Sequence, residues 1–279
     1  VAAEFVIITV DNLEEAFQIF DSQNNRGKPL KIHNYLKAYH LRRMLFNHKK
    51  PSMKLLKTID KLLSTWEDKD DSEELEHLLS FRLFKINEWT YRRANTDLTT
   101  DNMKQFYGFT EQSYDYQKYY SHQQKDYFEI GRPFQSGKDF FLMINYFRNL
   151  EKNIYNRFLI NSKNYPNKSE LRQILDNLNW PESQLKYCIE LFRCIALLYC
   201  NRFGENNLTS DIAKVLLMWT LSLRVAKDHL TKTAINYFAI GQSNLSKWEV
   251  IPLFELVARS YSPNDFLPNT YTIIRSVEN

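Results

Sequence analysis

Apolar residues recur at helical spacing along most of the chain, and short polar stretches with Asn, Gly or Pro separate the periodic segments. Leu13, Ala16, Phe17 and Phe20 share one face of a short first helix. Its start carries two overlapping capping boxes, Asp11 with Glu14 and Asn12 with Glu15. A longer helix is predicted over 31–46, with Ile32, Leu36, Tyr39 and Arg43 along one stripe. His33, His40 and His48 then fall on a polar face, and the helical rise keeps them too far apart to share a metal ion. Pro51 breaks this run, and 52–66 reads as an amphipathic helix with Leu55, Leu56, Ile59, Leu62 and Leu63 inward.

Asp71 with Glu74 caps the next helix, which runs to about Arg93 and buries Leu75, Leu78, Leu79, Leu83, Phe84 and Ile86. Over 96–133 the periodicity loosens into an aromatic, polar segment, with a short helix start at Thr100 and Asp101. Its aromatics, interleaved with Lys, Gln and His, suit either stacking on unpaired bases or packing between helices, and packing is the simpler reading. Strong helical patterns return over 138–160, with Phe141, Ile144, Phe147, Ile154, Phe158 and Leu159 inward, and over 171–178. Pro181 and Glu182 open another helix. The segments 185–200 and 212–226 are apolar on nearly all sides, which predicts a buried helical hairpin at the centre of a second domain. Gly241 stops a helix after Ile240. Ser246 and Glu249 announce a short final one with Pro252 in its first turns.

The predicted fold class is therefore mainly α: a multi-helix, bundle-like domain preceded by a small strand–helix–loop–helix remnant. Few glycines and prolines, six and eight in 279 residues, agree with helices over many short strands. No apolar run approaches the roughly 18 residues of a membrane span, so no membrane partner is expected. Cys188, Cys194 and Cys200 lie in one apolar helix and point apart, which suits reduced core thiols in a cytoplasmic protein. Asp228 with His229 reads as an exposed helix position, because no partner histidine follows.

Charge changes this picture in one place. Between Arg26 and Lys57 there are ten Lys or Arg and no Asp or Glu, although the whole chain carries only +4. Lys37, Arg42, Arg43, Lys49, Lys50, Lys54 and Lys57 are the candidate DNA-contacting residues of this block. The acidic run from Glu67 to Glu76 has a structural explanation as the first turn of a capped helix. There is no phosphate-binding G-x-x-x-x-G-K-S/T, no G-x-G-x-x-G, no H-E-x-x-H and no C-x-x-C, and no catalytic residue is assigned. One loop stands out, NNRGKPL: Gly27 tolerates positive φ, Pro29 fixes the exit, and Asn24, Arg26, Gly27 and Lys28 form a candidate nucleotide or phosphate site.

The run Phe20, Asn24, Arg26, Gly27, Lys28, Pro29 and Leu30, followed by Leu36, Lys37 and Ala38, resembles the GmrSD-like family. These are bacterial DNA-modification-dependent (type IV) restriction and phage-defence proteins with a ParB-like N-terminal domain. The apolar run 5–10 matches the strand that family places ahead of the helix, and the resemblance covers about the first 45 residues. It implies that 1–50 is the C-terminal part of a ParB-like domain and 51–279 a helical domain, with a subdivision near 96–137. The family's D-G-Q-Q-R signature, associated with nucleotide hydrolysis, is absent here, and no His-containing nuclease module is visible. The simplest expectation is a piece of a longer protein whose other N-terminal and C-terminal domains are its partners. In that longer protein the resemblance implies a nucleoside triphosphate and Mg as cofactors.

Three readings follow. The favoured one is a helical scaffold or interaction region without a complete active site of its own. The others are a DNA-binding module using 26–57, and the nucleotide-holding part of a nucleoside triphosphatase or nuclease.

Overall fold

Long stretches of good helix formers, interrupted by few Gly and Pro, give a chain built from helices. The computed structural model describes residues 31–45, 52–64, 72–94, 96–110, 127–159, 169–178, 180, 182–226, 229–242 and 250–267. The helices are α1 (Ile32–Leu45), α2 (Met53–Ser64), α3 (Ser72–His77), α4 (Lys85–Thr90), α5 (Lys138–Phe158) and α6 (Glu170–Asn177). They continue with α7 (Glu182–Phe203), α8 (Ser210–Ala226), α9 (Lys232–Ala239) and α10 (Leu253–Arg259). A π-helical segment, Leu78–Phe84, joins α3 to α4 without a break, and short 3-10 turns form at Met103–Phe106 and Glu205–Asn207. Among the described residues there is no strand, only an isolated parallel bridge between Phe109 and Gln135. The expected ParB-like strand and first helix lie outside the described residues, as does the predicted cap at Ser246.

The chain divides into two units. One comprises 1–76, 99–119 and 133–141; the other comprises 77–98, 120–132 and 142–279.

In the second unit the chain winds around α7. Its residues from Leu191 to Cys200 are buried all round except Arg193, and α4, α8, α9 and α10 all pack against it. The predicted hairpin is therefore present as α7 and α8. Two ring pairs knit the packed helices: Trp89 of α4 lies 4.8 Å from Phe254 of α10, and Trp219 of α8 lies 4.8 Å from Phe238 of α9. Both buried indoles keep a hydrogen bond, Trp89 Nε1 to Asn236 Oδ1 (3.2 Å) and Trp219 Nε1 to the Ile251 carbonyl (3.3 Å). Each such side chain removes a large apolar area from water without leaving a polar atom unpaired. Asn201 does the same for a loop. It accepts from the Ile130 amide (2.9 Å) and donates to the Phe128 carbonyl (2.6 Å), which fixes 127–130 to α7.

Helix ends follow from their capping chemistry. Ser169 accepts from the Arg172 amide and donates to the Phe158 carbonyl, so one hydroxyl starts α6 and closes α5. Thr231 caps α9, and Gly241 (φ +69) ends it. Pro252 is the N-cap of α10 rather than a residue of its first turns, since a ring without an N–H fits just ahead of a helix. His229 is exposed, as expected, but sits in a bend between α8 and α9 and not on a helix.

α4 ends on Arg92 in a left-handed conformation (φ 58), a place usually given to glycine. The Arg93 amide reaches back to the Glu88 carbonyl (2.9 Å) to close this turn. The strain is offset by the Arg92 side chain, whose Nε donates to the Ile240 carbonyl (3.1 Å) and faces Glu255 (3.6 Å). Arg92→Gly and Arg92→Ala both lose those contacts, and only Ala keeps the strain. Chemical denaturation should therefore find the Ala variant less stable than the Gly variant by about 1 kcal/mol.

The first unit corrects the reading of α1. His33, Leu36 and His40 are its buried residues, whereas Ile32 and Tyr39 are half-buried and Arg43 is exposed. The helix is thus rotated so that two histidines placed on a polar face point inward. His40 shows why this is stable. Its Nε2 lies 2.8 Å from the Phe106 carbonyl, its Nδ1 accepts from the Gly137 amide (2.9 Å), and its ring stacks on Phe140 at 4.0 Å. Both nitrogens are satisfied only in the neutral ring protonated at Nε2. In α2, Ile59 and Leu62 are buried as predicted, but Leu56 is exposed.

Candidate functional site

A charge inside an apolar run must find a partner or leave the core. Arg82 stands in the sequence LLSFRLF, within the π-helical segment, and is 1% exposed. Its Nε donates to Glu151 Oε1 of α5 at 2.7 Å, and its Nη2 lies 2.7 Å from Glu190 Oε2 of α7. Its Nη1 is 3.7 Å from the Cys194 sulfur, and its plane lies over the Phe81 ring. Arg193, one turn along α7 from Glu190, places Nη2 2.7 Å from the same Glu151 oxygen and stacks over Tyr155. Two guanidiniums and two carboxylates thus alternate and cancel, and His77 borders them with Nε2 3.5 Å from Glu190 Oε2.

The electrostatics follow from this packing. Burial alone would raise the Glu190 carboxyl, but Arg82 and Arg193 beside it hold it below its ordinary range. Burial opposes the Arg82 charge, and the Glu151 and Glu190 carboxylates beside it outweigh that and keep the guanidinium protonated. Burial, reinforced by Arg82, lowers the affinity of His77 for a proton. The Cys194 thiol is pushed up to about 12 by burial. Chemically, the cluster is a neutral lattice that ties together the π segment, α5 and α7. Its thiol is not a nucleophile at neutral pH. Among the described residues, no group of three or more His, Cys, Asp or Glu is arranged to hold a metal ion.

None of the described residues singled out in the sequence as candidate site residues belongs to this cluster. Asn24, Arg26, Gly27, Lys28, Lys49 and Lys50 lie outside the described residues. Lys37, Arg42 and Arg43 are on α1, the first two half-buried and Arg43 exposed over the Tyr39 ring. Lys54 and Lys57 are exposed on α2, and Lys61 is exposed one turn further. Positions i, i+3 and i+7 fall within about 60° on a helix, so these three form one lysine stripe, away from Ile59 and Leu62. Sequence reasoning passed over Arg82, Glu151, Glu190 and Arg193. The available signal was a lone arginine within an otherwise apolar run.

The described helices include none long and apolar enough to cross a membrane. Residues 58–279 match a family described as a family of unknown function (DUF7834). No curated protein and no solved structure matches the chain. The charge lattice lies within the matched region, while every candidate phosphate-binding and DNA-binding residue from Asn24 to Lys57 precedes it.

Proposed function

The chain belongs to this family of unknown function, and we propose that it serves as a helical scaffold or interaction region of a bacterial DNA-modification-dependent restriction or phage-defence protein. The observation that carries this reading is the Arg82–Glu151–Glu190–Arg193 lattice. Arg82, the most buried charged residue described in the second unit, and Glu151, Glu190 and Arg193 around it neutralise one another across three helical segments instead of converging on an open position for substrate. The defence context rests on the Asn24–Arg26–Gly27–Lys28 loop and its resemblance to GmrSD-like proteins. On this reading the nucleotide, its Mg and the hydrolytic residues belong to other domains of a longer protein. Purified chain should therefore release no phosphate from ATP or GTP in a Mg-containing assay. Steady turnover would replace this reading with the nucleoside triphosphatase one.

A second reading, a DNA-binding module, is favoured by the exposed stripe Lys54, Lys57 and Lys61 on α2. Fluorescence anisotropy with duplex DNA at several salt concentrations separates the two. The scaffold reading expects no anisotropy change even at low salt. Binding that falls with salt, with a log–log slope reduced by about 2 to 3 in Lys54→Glu/Lys57→Glu/Lys61→Glu, would establish the second reading.

A further inference from the structure

The charges of Arg82, Glu151, Glu190 and Arg193 sum to zero, and one titratable ring stands at their solvent edge. His77 immediately precedes the π-helical segment, its side chain is 48% exposed, and its ring stacks on Phe81 at 5.1 Å. Its Nε2 lies 3.5 Å from Glu190 Oε2, the oxygen that also meets Arg82 Nη2 at 2.7 Å. That oxygen is buried and, although ion-paired, receives no well-directed hydrogen bond. A donor arriving at Nε2 would meet an acceptor that is still open to one.

We propose that His77 is an acid-sensitive latch on the π-helical segment. A proton taken up by its ring gives Glu190 Oε2 a second cationic partner and draws that carboxylate away from Arg82. The charged groups that face His77 are Arg82 on its own segment, Glu190 and Arg193 from α7, and Glu151 from α5. With the ring neutral these cancel, and with it charged the lattice carries +1. A π-helical turn packs less favourably than an α-helical one and is held by its surroundings, so it is the element such an imbalance would loosen. Burial and Arg82 both delay protonation, so the latch stays in its neutral state at neutral pH and changes state in acid.

The test is amide hydrogen exchange by NMR on the whole chain, expressed as protection over Leu78–Phe84, at about pH 7.5 and about pH 5. The wild type should lose about tenfold protection there on acidification. His77→Gln, a neutral replacement at a half-exposed position, should lose none. His77→Lys, a permanent cation, should already show the low protection at the higher pH. Equal loss in wild type and His77→Gln would overturn the proposal, as would full protection in His77→Lys.

Discussion

Arg82→Ala is expected to destabilise the protein by about 3–5 kcal/mol, because it strips the central cation from two buried carboxylates. Glu151 would keep Arg193 at 2.7 Å, but Glu190 would keep only a weak contact with it at 3.5 Å. A methylene-rich side chain would vanish from a fully packed site as well, adding a cavity to the lost pairing. Arg82→Met combined with Glu151→Leu, Glu190→Leu and Arg193→Met should recover most of the loss, since an apolar set of similar volume removes all four charges together. Urea unfolding of the three proteins decides the matter. A loss below about 1 kcal/mol in Arg82→Ala would mean that water reaches the carboxylates and that the lattice holds little.

The second large effect is expected in the first unit, at His40. Burial, helped by Arg43 and opposed by the hydrogen bond to the Phe106 carbonyl, lowers its pKa from 6.5 to about 3. The folded ring is therefore neutral where an unfolded one takes up a proton. Its contribution is complete above about pH 6.5 and is lost as pH falls toward about 3, at a slope approaching 1.4 kcal/mol per pH unit. His33, whose pKa burial also lowers, acts in the same direction. His40→Ala should remove this slope. It should also cost about 2–4 kcal/mol at neutral pH, because the Phe106 carbonyl and the Gly137 amide would be left buried without partners. Stability measured from pH 7.5 to pH 4 in both proteins, with a slope unchanged in the variant, would assign the acid sensitivity elsewhere.

The sequence made the helices legible where apolar period and burial coincide. In α5, Phe141, Ile144, Phe147, Ile154 and Phe158 recur at helical spacing, and all are buried. The α7–α8 hairpin could be read in the same way, from segments too apolar to face water on any side. In α1 the same rule turned the helix the wrong way. The stripes through Ile32, Leu36 and Tyr39 and through His33, Leu36 and His40 share Leu36 and lie close together. Hydropathy favours the first, while the second wins because backbone groups from two distant loops satisfy the His40 ring. The charge lattice was hidden for a related reason. Arg82 and Glu151 are 69 residues apart, and no local period reports that they meet. The π-helical turn was equally silent, since its residues continue the apolar pattern of the α-helix around it. The Asn24–Lys28 loop lies outside the described residues, so its chemistry stays with the sequence resemblance.

The three buried cysteines also make the protein convenient to tag. Cys188, Cys194 and Cys200 are all buried, and burial pushes each thiol up to about 12. At neutral pH almost none is in the thiolate form that maleimides and iodoacetamides attack. Tyr261 is 96% exposed, so Tyr261→Cys would add a single accessible sulfhydryl over a nearly silent background. A fluorophore could be attached there without first removing the native sulfurs, and slow modification of those sulfurs would then time the breathing of the α7 core.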